Sequence, residues 1–337
     1  MFLHRFNTRH VSFFLAAFAL LGAIEAQAVQ RTHVSAAFGA DSNAASNCTA
    51  AAPCRFFTAA MSVTDNNGEV IVLDSGGYGG VTITQSVALI APTGVYAGIS
   101  VFPGANGVTI ATAGVNVVLR GLSINGQGGN NGISMTAGNS LTVENCVISN
   151  LGQNGILVNA AATVRVTDSI VRDNGASGIR LQNGVTATIT RAVVSGNANL
   201  GIHLFGTTPS TSTADIADST IDGNNTGIYA ISQVSSAILK LSVRDSRIVR
   251  NSNSGLTAVS NAGAAASLTA SNNMVANNNI GIGAFSAGAK VWASGNTVSD
   301  NFGNGLLNSG ALFETAGNNA VRNNGANGGT ITAIATQ

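Results

Sequence analysis

Residues 174–205 read NGASGIRLQNGVTATITRAVVSGNANLGIHLF, and one short theme occurs in them twice. Asn174 stands four residues ahead of Gly178-Ile179, and Asn197 four residues ahead of Gly201-Ile202. Working outward, the Gly-Ile or Gly-Leu pair recurs at Gly132, Gly155, Gly227, Gly255, Gly281 and Gly305, and Gly328 continues the column. The spacings are 23, 23, 23, 26, 28, 26, 24 and 23 residues, a solenoid period.

The asparagine column comprises Asn150, Asn174, Asn197, Asn224, Asn251, Asn277, Asn301 and Asn324, with one-residue slips at Asn150 and Asn224. Asparagine tolerates the left-handed backbone of a sharp turn, and its amide both donates and accepts hydrogen bonds. Stacked in register, such amides form a ladder. A third column, including Leu141, Val143, Val164, Val166, Ile189, Ile216, Leu241, Val243 and Val291, alternates with Ser, Thr, Arg and Asp. Alternation of period two marks strands with one buried face. A single rung cannot bury that face alone, so each rung needs neighbours.

Helical repeats would require a 3.6-residue period, which is missing here. The Ca²⁺-binding Gly-Gly-x-Gly-x-Asp nonapeptide is also missing. Three short strands per repeat predict an all-β, right-handed parallel β-helix solenoid of about eleven rungs, on the order of 50 Å long. The Asn-then-Gly-Ile repeat resembles that of the pectin lyase-like superfamily of right-handed parallel β-helices, from roughly Glu69 to the C-terminus. That resemblance implies the fold strongly and an activity weakly, because it spans polysaccharide-active enzymes and proteins with no known catalysis.

The chain begins with a secretory pattern: Arg5 and Arg9, the apolar run Val11 to Ile24, then Ala26-Gln27-Ala28. The predicted organisation is a leader over 1–28, an N-terminal segment with a short capping helix over 29–68, and the β-helix over 69–337. The apolar run is too short to span a bilayer, so no membrane span is expected after cleavage. Without the leader, 13 basic residues face 13 acidic ones (15 less Arg5 and Arg9; 14 less Glu25). Nucleic acid is not an expected partner, because phosphate neutralisation needs clustered Lys and Arg.

Cys48 and Cys54 lie close together in an exported chain and are expected to form a disulfide. Cys146 reads as a buried or half-buried thiol. The segment Arg55 to Val63 is the one amphipathic helix, placed to cover the N-terminal sheet edge, where open strands invite aggregation. At the other end, Thr330 to Gln337 offers no helix, so a terminal strand or a partner must blunt that edge.

The resemblance implies Ca²⁺ held by clustered carboxylates and an Arg base for lyases of this fold, or an aspartate trio for hydrolases. Neither signature is present. The nearest substitute is the column Asp168, Arg191, Asp218 and Asp245 in successive rungs, readable as an ion ladder on a solvated face or as a cation or substrate site. A second column follows the Gly-Ile pair outward: Arg180, His203, Tyr229. Two residues on come Gln182, Phe205, Ile231, Val259 and Phe285. Rings beside a cation and hydrogen-bonding groups suit a sugar. Extra residues at 207–212, 232–237 and 260–265 would build a wall of loops beside this face.

The functional expectation is an exported protein presenting an elongated surface to a polysaccharide or a cell-surface protein, without catalysis or cofactor. The alternative is a lyase-like enzyme acting on an acidic polysaccharide, with Ca²⁺ as cofactor and Asp168, Arg180, Arg191, Asp218 and Asp245 as its reactive groups.

Overall fold

In the computed structural model, residues 29–261 and 263–334 are described; the secretory leader expected over 1–28 lies outside them. Three parallel sheets of 13, 11 and 11 strands run the length of the molecule. Each rung contributes one strand to the first, second and third sheet in turn, giving eleven complete rungs of a right-handed parallel β-helix. Inward residues of all three sheets share one continuous apolar core, in which Ile179, Ile202, Ile228, Leu256 and Ile282 stack directly over one another.

The rungs turn at two tight corners of the same construction. At each corner one residue takes a left-handed backbone, and the next points a small polar side chain inward. The first corner, between the first and second sheets, has Asn145, Asp168, Arg191, Asp218, Asp245 and Asn272 at φ between 49° and 55°. The residues after Asp168, Asp218, Asp245 and Asn272 are Ser169, Ser219, Ser246 and Asn273, all buried. They form a ladder absent from the sequence reading: Ser219 N–H donates to Ser246 Oγ, Ser246 N–H to Asn273 Oδ1 and Asn273 N–H to Asn296 Oδ1.

At the second corner the expected asparagine ladder runs through Asn174, Asn197, Asn224, Asn251, Asn278, Asn301 and Asn324. Its steps are side-chain amide bonds of 2.8 to 3.1 Å, each doubled by a backbone N–H donating to the same Oδ1. Asn277 is therefore corrected to Asn278. Asn277 and Asn150 are the left-handed corner residues, with φ 57° and 61°, both exposed. Leu151 takes the inward place after Asn150, and its N–H donates to Asn174 Oδ1.

The recurrent glycine follows from this ladder. A methyl group on Gly227 would stand 2.6 Å from the carbonyl oxygen of Gly255 and 2.9 Å from Asn251 Nδ2, closer than side-chain carbons approach. Asn251→Ala empties one step and leaves buried groups without partners. It is expected to cost about 1 to 3 kcal/mol in urea denaturation, and no change in midpoint would contradict the ladder's role.

Asn116–Arg120 and Leu122–Gly126 are separate strands that meet at Gly121, a first-corner residue with φ 73°. The N-terminal segment also holds more structure than expected. Val29–Val34 is a strand that extends the first sheet, followed by a 3-10 helix over Asp41–Ser46 and an α-helix over Phe57–Met61, shorter than Arg55 to Val63. The Cys48–Cys54 disulfide is formed, and its loop covers the outer edge of Val29–Val34: His33 N–H donates to Cys48 O, and Cys54 N–H to His33 O. The helix segment covers the other two sheets, with Phe57 N–H on Tyr78 O, Arg55 on Gly77 O and Thr58 Oγ1 on Gly80 O. At the opposite end Thr332–Ala333 pairs with Glu314 and Thr315, a short terminal strand on the first sheet, one of the two coverings expected there.

Extra residues at 207–212, 232–237 and 260–265 lengthen strands more than they build loops. Third-sheet strands grow from Ile156–Asn159 to Leu200–Gly206, Thr226–Ser232 and Ser254–Ser260, while first-sheet strands become Thr211–Ala217, Ile238–Arg244 and Ala265–Ser271. The solenoid is thus broadest over three rungs of its third sheet, with Ile280–Phe285 and Asn304–Ser309 one residue shorter.

Candidate functional site

The outward face of this broadened sheet carries the predicted aromatic column. Arg180, His203, Tyr229 and Thr257 are paired in register, as are Gln182, Phe205, Ile231, Val259 and Phe285. Phe205 and Phe285 lie half-buried on the outside. Period-two alternation put these residues on one face, and parallel pairing without a register slip stacked them.

The His203 ring stacks on Phe205 with centroids 4.7 Å apart and lies 5.8 Å from Tyr229. Arg180 places its guanidinium carbon 4.8 Å from the Phe205 centroid and donates from Nε to Gln182 Oε1 at 3.0 Å. Among the described residues no carboxylate pairs with Arg180. A partly desolvated cation over a ring is a favourable arrangement. His203 is only 8 % exposed, and its Nε2 is buried without a hydrogen-bond partner. Burial, with the Arg180 charge beside it, pushes its pKa down to about 3, so the ring is neutral over the ordinary pH range. His203 is the packed floor of the cluster; Arg180, Phe205 and Tyr229 are the parts a ligand can reach.

Two adjoining depressions share Thr226, Tyr229 and Asn253. One reaches back to Arg180 and Phe205, the other forward to Val259 and Phe285, so together they form a groove along the solenoid axis.

The Asp168, Arg191, Asp218, Asp245 column lies elsewhere, at the first corner. Its shared feature is left-handed backbone, for which Asp and Asn are the best non-glycine residues. Arg191 grips Asp168 with two hydrogen bonds of 2.7 and 2.8 Å, which holds that carboxyl below its usual range. Asp245 sits 3.6 Å from Arg244. Exposed pairs of this kind contribute little. Among the described residues no three His, Cys, Asp or Glu side chains converge as metal ligands. Cys146 belongs to the same corner; it is buried, and burial raises its thiol to about 11, far from a reactive thiolate.

Comparison with known proteins agrees with this architecture. The family description "Right handed beta helix region" matches residues 58–214. No curated protein sequence matches the chain. Among solved structures, pectate lyase Pel9A superposes with a TM-score of 0.61 at 17% identity, covering 88% of this chain and 80% of that one. The periplasmic alginate epimerase AlgG gives 0.47 at 12% identity (79% and 77% covered). A lacto-N-biosidase from Eubacterium ramulus gives 0.45 at 12% identity (90% and 68%). The likeness to Pel9A is one of fold, the stacked parallel β-helix. Within it, residues 58–214 carry the right-handed β-helix repeat that the family model describes.

Proposed function

We propose that the protein is exported and binds a polysaccharide along the groove of its third sheet, without catalysing a reaction on it. The observation that carries this reading is the Arg180, Phe205, Tyr229 cluster over neutral His203, set on a rigid and locally widened sheet. An aromatic platform offers a sugar ring its apolar contact, and a few fixed polar groups orient its hydroxyls. Strand pairing on both sides holds the platform in shape, so little ordering is needed on binding.

The secretory pattern ahead of residue 29 and the disulfide near the N-terminus support export. The Asp168 column is at another corner, so the acidic groups of the lyase-like alternative do not converge on Arg180.

Tyr229→Ala and Phe205→Ala are each expected to weaken retention on insoluble cell-wall polysaccharide about tenfold, with an unchanged circular dichroism spectrum. Full retention in both variants would dismiss this face.

A further inference from the structure

We infer that the groove takes an uncharged glycan chain, lying along the solenoid axis from Arg180 toward Phe285; this rests on the binding reading above. The argument is one of charge. Among the described residues that line the groove the single formal charge is Arg180, at one end. From Tyr229 onward the lining is hydroxyl, amide and hydrocarbon: Thr226, Asn253, Thr257, Val259, Ile280 and Phe285.

A polyuronate presents a carboxylate on every sugar. Laid in this groove, its successive carboxylates would face Val259, Ile280 and Phe285 and lose water with no cation to receive them. Desolvating an unpaired carboxylate is costly, and a groove built for such a chain repeats its arginines or lysines. A neutral chain meets no such penalty. Its C–H faces rest on Phe205, Ile231, Val259 and Phe285, which are stacked in register one rung apart. Its hydroxyls reach Asn225 and Asn253 at the groove margin, where Asn253 Nδ2 already points to Thr226 Oγ1 at 3.4 Å. Arg180 can hold a single ring oxygen or hydroxyl at the end of the chain as a hydrogen-bond donor.

The test is calorimetric titration of the purified protein with gluco-, manno- and xylo-oligosaccharides, and in parallel with galacturonate and mannuronate oligosaccharides of equal length, each at low and high salt. The inference expects at least one neutral series to bind, with an affinity insensitive to salt and weakened about tenfold by Phe285→Ala. Tighter binding of a uronate series, falling as salt rises, would overturn the neutral assignment and leave the binding face standing. Heats indistinguishable from dilution for every series, or binding unaffected by Phe285→Ala and Tyr229→Ala together, would overturn both.

Discussion

Ile202→Ala is expected to lower stability by about 2 to 5 kcal/mol, toward the upper part of that range. Ile202 is fully buried and sits between Ile179 and Ile228 in an unbroken apolar stack. In a globular core, neighbouring elements shift to shrink a cavity, which reduces its cost. Here the strands above and below are fixed about 4.8 Å away by backbone hydrogen bonds, so the gap cannot close along the axis. Urea denaturation of the purified variant gives the value. A cost below about 0.5 kcal/mol would place the Ile202 side chain outside the core.

The second large effect is acid sensitivity traced to His203. Its pKa is about 3 in the folded protein against 6.5 for a free side chain, because burial and Arg180 both oppose its charge. As pH falls below 6.5 the unfolded chain takes up this proton and the folded protein does not. Stability from this group is therefore constant above 6.5 and is lost as pH drops toward 3. Between about pH 7 and pH 4 the loss is roughly 3 kcal/mol. His203→Phe keeps a ring against Phe205 and removes the titration, so its stability should be flatter by that amount. Asp74 also has a lowered pKa, about 2: burial opposes ionisation, but hydrogen bonds from Ser35, Tyr78 and the backbone of Ala36 and Ala37 outweigh it. Its contribution fades mainly below about pH 4, at the lower edge of that window. Parallel pH dependence in wild type and His203→Phe would refute the buried, neutral imidazole.

The sequence carried the rung period because Gly-Ile recurs with little drift, and the close approach at Gly227 explains why that glycine is retained. It carried the disulfide and the aromatic column for a similar reason: both depend on short spacings or on alternation. Asparagine was harder. Its left-handed tolerance and its laddering amide were read as properties of one position, whereas the corner uses two adjacent positions, one for each. In the run Asn277-Asn278-Asn279 nothing in the residue type distinguishes them; only burial of the middle amide does. The Ser169, Ser219, Ser246, Asn273 ladder leaves no single-residue signature, because its column mixes hydroxyl and amide with Cys146 and Ala192. The Asp168 column resembled chemistry because acidic side chains suit left-handed corners. The burial of His203 was not legible either, since alternation marks it as outward and its cover comes from Phe205 two residues away on the same strand.

The asparagine ladder has a sense as well as a period: each backbone N–H and one amide hydrogen go to the rung that follows, while from Asn197 onward the amide also donates to a carbonyl of the rung before. A break at Asn251 therefore leaves the Asn224 N–H without its acceptor, while Asn224 Nδ2 keeps Val194 O and Asp222 O, and Asn278 Oδ1 keeps one donor and merely gains a spare lone pair, the cheaper loss. A fault in the ladder is thus felt chiefly as one orphaned donor in the rung on its N-terminal side.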